Sequence, residues 1–132
     1  MEQKKETVVY TYGVFDLLHV GHLQLLQEAK ALGTKLIVGL FTDEVSKGFK
    51  RQPIIPLDQR IEMLKALRFV DEVVSQDELA PDTNLKKYKP DIVRFQTPMS
   101  LGVHAILVAR LLNLPLIGTF HTFFGNTYLS RK

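Results

Sequence analysis

Short, continuously apolar runs alternate along this chain with segments of helical periodicity, and that alternation constrains the fold more than any other feature. Residues 8–15 are dense in β-branched and aromatic side chains, and residues 35–41 (KLIVGLF) form a second such run. Residues 71–74 (DEVV), 91–95 (DIVRF) and 116–120 (LIGTF) predict three more strands. Residues 21–32 place Leu23, Leu26, Ala29, Lys30 and Leu32 at helical spacing, ahead of Gly33, a residue suited to end a helix. After Pro56, residues 57–67 present Ile61, Leu64 and Leu67 on one face. Residues 84–88 predict a helical turn broken at Pro90, residues 101–113 predict a last helix, and residues 42–56 read as a polar loop. Apolar strands separated by helices imply a parallel sheet covered on both faces, and right-handed crossovers make it doubly wound. The expectation is an α/β fold with a doubly wound five-stranded parallel sheet.

The 132 residues suit a single domain. Hydrophobic residues make up 45% and charged residues 23%, a balance that excludes a disordered chain. The lack of cysteine excludes a disulfide framework, a thiolate metal site and a catalytic thiol, and it suits the reducing cytoplasm. The N-terminus is polar, without the pattern of a signal peptide. The longest apolar stretch, residues 101–112, falls short of the ~20 residues that span a membrane and carries His104 and Arg110; His104 reads as structural. A net charge of +3, with no basic helix and no interleaved aromatic stripe, gives no support for nucleic acid as a partner. Lys47, Lys50 and Arg51 cluster instead in one segment, which suits a small phosphorylated ligand or, alternatively, a solvated loop.

In open α/β sheets ligands lie beyond the carboxyl ends of the strands. Directly after the first strand stands Gly13-Val14-Phe15-Asp16-Leu17-Leu18-His19-Val20-Gly21-His22. Two imidazoles flank a glycine where the next helix begins, and a helix start presents free N–H groups and partial positive charge that favour a phosphate. Gly21 removes the side chain that would hold a phosphate away from the backbone, and the imidazoles are placed to donate to its oxygens. Bland readings stand beside these. Histidines at a helix start are often structural, Asp16 is suited to capping the following turn, and Arg60 is suited to pairing with Glu62 or Asp58 on its own helix.

That string, followed by Leu25-Leu26 and Ala29-Lys30, resembles the cytidylyltransferase family with its H-x-G-H signature, most strongly the short glycerol-3-phosphate type. The likeness continues through Thr42-Asp43-Glu44, the basic segment from Lys47 to Arg51, Pro53-Ile54-Ile55-Pro56, Arg60, and Phe69-Val70-Asp71-Glu72-Val73-Val74. It covers about residues 8–75, with Val14 where the family usually has Thr. The resemblance implies a Rossmann-like nucleotidyltransferase fold that moves CMP from CTP to a phosphorylated small alcohol, releases pyrophosphate and uses Mg²⁺. An adenylyltransferase of the same superfamily, using ATP, is the alternative. Such a reaction is in-line displacement at the α-phosphorus, where catalysis is mostly positioning and electrostatics. By resemblance, His19 and His22 bind the triphosphate and stabilise the transition state, and a loop lysine, Lys50 or Lys47, neutralises phosphate charge. Gly13, Val14, Phe15 and Gly21 belong to the nucleotide-binding turn. Asp16 orients the site or a Mg²⁺-bound triphosphate, and Arg60 anchors its helix or touches the acceptor; no side chain is assigned to the metal itself.

The last third departs from that pattern. Residues 96–102 (QTPMSLG) and 118–124 (GTFHTFF) match neither the acidic-aromatic stretch nor the arginine-containing, Ser/Thr-rich segment of the family. Residues 90–124 resemble instead part of the N-terminal domain of GT-B glycosyltransferases. A fusion, a fragment of a bifunctional polypeptide, a recombined sequence and a nucleotide-binding module without turnover therefore stand as alternatives to a complete transferase. His121 and Thr122 either replace the missing phosphate contacts or are remnants. The apolar stretch at residues 101–112, followed by Phe120, Phe123, Phe124 and Tyr128 without a helical pattern, predicts a homodimer.

Overall fold

The computed structural model describes residues 6–97, 113, 116–120 and 127–130. The elements in chain order are β1 (Val8–Gly13), α1 (Val20–Ala31), β2 (Lys35–Phe41), α2 (Asp43–Phe49), α3 (Leu57–Lys65), β3 (Glu72–Gln76), α4 (Asp82–Tyr88), β4 (Ile92–Thr97), β5 (Leu116–Phe120) and β6 (Thr127–Ser130). Four parallel strands in the order β3-β2-β1-β4 form the body of the sheet, with Tyr10 of β1 in register with Ile37 of β2 and Val93 of β4. The backbone of β5 runs parallel beside β4, and β6 returns antiparallel at the edge. The expected α/β architecture with a parallel sheet is thus present, while β6 had no counterpart in the sequence reading. The helix expected at residues 101–113 lies, apart from Asn113, outside the described residues, as do His104, His121 and Thr122.

The strand alternation explains the two layers. Val9, Leu36, Val38 and Leu40 turn to one face and pack on Leu26 and Ala29 of α1 and Leu64 of α3. Tyr10, Tyr12, Ile37, Phe41, Val93 and Phe95 turn to the other, under Leu85 of α4 and against Val45 and Phe49 of α2. Gly39 is required there, because a Cβ at that position would overlap the Tyr10 hydroxyl. That buried hydroxyl donates to Gln76 Oε1 at 2.6 Å and accepts from Asn84 Nδ2 at 2.9 Å, so its burial leaves no orphan.

The polar stretch after β2 is not all loop. Thr42 caps α2 by accepting from the Val45 N–H at 3.2 Å, and Asp43 and Glu44 complement the helix start. Lys47 therefore lies in the last turn of α2 and Lys50 is its C-cap residue, which corrects the single-loop reading of the basic cluster.

Strands β1, β2 and β3 step outward in one direction, and β4 then joins the opposite side of β1. The switch point of the sheet therefore falls at the carboxyl end of β1, where open sheets form a binding crevice. The turn from Val14 to His19 occupies it.

Candidate functional site

The turn after β1 doubles back sharply. Phe15 and Leu17 both adopt left-handed backbone, with φ of 52° and 50°, a conformation unfavourable for side chains of this size. Gly13 makes room for it, since a Cβ there would sit 3.1 Å from the Phe15 ring. The Phe15 ring lies 5.5 Å from that of His22, so the strained turn wedges an apolar side chain against the second imidazole.

The two histidines cap the helix they precede. His19 is the N-cap of α1, and its Nδ1 accepts from the Gly21 N–H at 3.0 Å. His22 Nδ1 reaches back to accept from the His19 N–H at 3.1 Å, and the ring centroids are 4.0 Å apart. A ring nitrogen that accepts a backbone N–H carries no proton, so each neutral imidazole holds its proton on Nε2. Two Nε2–H donors thus stand side by side at a helix end whose first turn contains no acidic residue to offset its positive pole. The capping reading and the phosphate reading of these histidines are therefore compatible: Nδ1 serves the helix and Nε2 remains for a ligand.

Burial, together with the charges of His19 and Lys50, lowers the His22 pKa below the ordinary imidazole value, against the opposing pull of Asp16. A base depressed in the folded state contributes stability that is complete above its unfolded pKa of about 6.5 and is lost as pH falls from there towards the folded value. Proton NMR is expected to show His22 more than half neutral at pH 6.5, with stability declining below that pH. A His22 midpoint above 6.5 would contradict the assignment.

Gly21 also makes room for the cap. A Cβ there would stand 2.8 Å from His19 Cε1 and 3.0 Å from its Nδ1, so a side chain would push the cap itself aside. For Gly21→Ala, the lost cap costs about 1 kcal/mol, and the gain of Ala over Gly in a helix offsets roughly 0.5–1 kcal/mol. We expect near-unchanged stability in urea and turnover reduced at least about tenfold as one donor is misplaced. Normal turnover in this variant would show that His19 need not hold its capping position.

Asp16 and Arg60 tie the turn to its surroundings. The Asp16 carboxylate accepts from the Ile54 N–H at 2.8 Å and the Ile55 N–H at 2.9 Å. Burial opposes its ionisation, but these two amides, that of Leu17 and the Arg60 charge outweigh it and hold the carboxyl below its ordinary range. Arg60 is 1% exposed. Its Nε donates to Ile55 O at 2.9 Å, its Nη1 to Val14 O at 3.0 Å and Phe41 O at 2.9 Å, and its Nη2 to Asp43 at 2.6 Å. Arg60 therefore anchors the ends of β1 and β2 and the start of α2 from behind; its ion-pair partner is Asp43, not Glu62 or Asp58. Sequence reasoning missed Asp43, although its place after the capping Thr42 was a signal for a helix start there.

Lys47, Lys50 and Arg51 are exposed. Lys50 closes α2, and its charge is a lesser contributor, after burial and His19, to the lowered His22 pKa. Among the described residues, no group of three or more His, Cys, Asp or Glu side chains could hold a metal ion.

A model of the cytidylyltransferase-like family matches residues 10–110. The chain is 40% identical over 108 residues to FAD synthase of Thermococcus sibiricus, covering 80% of this chain and 73% of that protein. It is 43% identical over 75 residues to ethanolamine-phosphate cytidylyltransferase of Arabidopsis thaliana, covering 57% of this chain and 18% of that one. The chain also spans only 21% of the bifunctional protein HldE of Campylobacter fetus, to which it is 43% identical. Several of its curated relatives are thus far longer than the part matched. Among solved structures, a lipopolysaccharide core biosynthesis protein from Thermoplasma volcanium shares the fold, with a TM-score of 0.76 and 24% identity over 86% of this chain and 96% of that one.

Proposed function

Because the chain belongs to the cytidylyltransferase-like family of nucleotidyltransferases, we propose that it transfers CMP from CTP to a phosphorylated small alcohol. The observation that carries the reading is the pair of imidazoles at the start of α1 whose Nδ1 atoms are taken by capping bonds, which leaves Nε2 as the nitrogen to carry the proton. An oxygen of the acceptor's phosphate attacks the α-phosphorus, a P–O bond forms, and the bond to the bridging oxygen breaks to release pyrophosphate. Charge grows on the non-bridging oxygens as this happens. His19 and His22 donate to them from positions fixed beforehand, so little reorganisation is needed in the transition state. Lys50 neutralises the departing phosphates, while Gly13, Val14 and Phe15 shape the turn. Mg²⁺ fits as a metal carried on the triphosphate and held mainly by its oxygens and by water, where it would offset phosphate charge.

A second reading, adenylyl transfer from ATP, is favoured by coverage: the chain spans 73% of the archaeal FAD synthase but 18% of the plant cytidylyltransferase. Calorimetric titration with CTP, ATP and a UDP-sugar separates the readings. Preferential CTP binding is expected, with pyrophosphate released once a phosphorylated alcohol is added. Binding of ATP alone would replace the cytidylyl reading with the adenylyl one, and binding of the UDP-sugar alone would refer function to the last third.

We further propose a homodimer, on the strength of the apolar run at residues 101–112, and a cytoplasmic location, which a chain without cysteine suits. Light scattering at micromolar concentration is expected to give twice the 15.1 kDa chain mass. A monomer mass would remove the dimer.

A further inference from the structure

Asp16 is the one acidic side chain in the turn that carries the histidines, and the turn is built around it. The residues on either side, Phe15 and Leu17, are both left-handed, and between them the carboxylate reaches 38 and 39 residues along the chain to the amides of Ile54 and Ile55. Oδ2 accepts the Ile54 N–H and Oδ1 the Ile55 N–H. Strain retained on both sides of one functional group marks a position over-determined by its surroundings. The segment it grips is held from behind as well, because Arg60 Nε binds Ile55 O while Arg60 Nη1 binds Val14 O, two residues before Asp16. At the other end of that segment Lys50 closes α2, its N–H donating to Ser46 O at 2.9 Å.

We propose that Asp16 is a positioning residue, a latch that holds the segment from Lys50 to Ile55 against the helix end so that the Lys50 ammonium and the two imidazoles face a triphosphate as one unit. Its catalytic consequence rests on the nucleotidyl-transfer reading; the latch itself does not. The lowered His22 pKa, due first to burial and then to the charges of His19 and Lys50 against that of Asp16, is consistent with such a placement. A carboxylate is suited to the task because it accepts two backbone N–H bonds at once, and bonds to a charged acceptor are about twice as strong as neutral ones. An asparagine of the same shape presents an NH₂ to one of those amides and releases it.

The test is a double-mutant cycle read on the His22 imidazole by proton NMR titration, without substrate. Lys50→Ala in the natural chain is expected to raise the His22 pKa, because a nearby positive charge is removed. In an Asp16→Asn background the same replacement is expected to leave His22 unmoved, since the latch no longer holds Lys50 in place. Ile54→Pro removes one amide donor while keeping the Asp16 charge, and is expected to uncouple Lys50 from His22 in the same way. An equal rise in all backgrounds overturns the latch, and so does no rise in the natural chain. In steady-state kinetics, Asp16→Asn and Lys50→Ala are each expected to lower kcat/KM for the nucleotide about 10- to 100-fold, the range for a lost hydrogen bond to a charged group. The double variant is expected to be no slower than the slower single one. Multiplied losses would make Asp16 a direct ligand contact and overturn the latch. If no nucleotide is turned over, the kinetic arm falls with the transfer reading and the titration still decides.

Discussion

Replacement of His19 or His22 by alanine is expected to lower turnover about 10²–10³-fold, the loss found when one pre-aimed donor is removed from developing oxyanion charge. The two positions differ in what else they lose. His19 is the N-cap, so His19→Ala also forfeits about 1 kcal/mol of helix stabilisation. His22 accepts the His19 N–H, an amide at an exposed helix end that water is able to satisfy in its place. The two roles of His19 are separable. Asparagine is among the best N-cap residues, so His19→Asn is expected to keep the stability of the natural chain while losing the Nε2–H and with it the turnover. Unfolding in urea and pyrophosphate release, measured on the same preparation, check this. Near-normal release from His19→Asn or His22→Ala would mean that the imidazoles serve the helix alone.

The second large effect is on stability. Arg60→Ala is expected to destabilise the fold by about 3–5 kcal/mol, since three backbone carbonyls lose their donor at about 1–3 kcal/mol each. Asp43 is partly exposed, so the ion pair is not the main loss. The main loss is at Val14 O, Phe41 O and Ile55 O, which give up their donors together around a side chain that is itself buried. Since domains of this kind have only about 5–15 kcal/mol in total, the variant is expected to approach unfolding near 37 °C. Arg60→Lys is expected to rescue little, because a single ammonium lacks the planar fork that meets these carbonyls and Asp43 from three nitrogens. Urea denaturation checks both variants. A change below about 1 kcal/mol, the typical size of one ordinary hydrogen bond, would contradict the anchor role.

The strands and the helix at the switch point are legible in the sequence because Val9, Leu36, Leu26 and their neighbours repeat at the periods of burial. His19 and His22 are legible as a candidate site because they sit in one contiguous string at a helix start. What the sequence does not display is contact between distant segments. Nothing local to Arg60 distinguishes Asp43, 17 residues away, from Glu62 or Asp58 close by. The choice follows from the ends of β1 and β2 converging there. Asp16 is similar: its likeness to a turn cap is local, while its partners lie across the crevice at Ile54 and Ile55. Helix α2 was missed because Gly48 and the polar side chains around it lower its helical signal, although Thr42-Asp43-Glu44 is a sound helix start. The reason for Gly21 also became visible only with the His19 ring in place.

Both imidazoles give Nδ1 to the helix, and in the proposed transfer both keep Nε2–H for the nucleotide. Nitrogen-15 chemical shifts of the two rings at pH 7.5, recorded with and without CTP and Mg²⁺, test it directly. The account predicts an unprotonated, acceptor-type Nδ1 and a protonated Nε2 in both His19 and His22, with the Nε2 resonances moving when nucleotide is added. A proton on Nδ1 of either ring, or Nε2 resonances unmoved by saturating CTP and by saturating ATP, would contradict it.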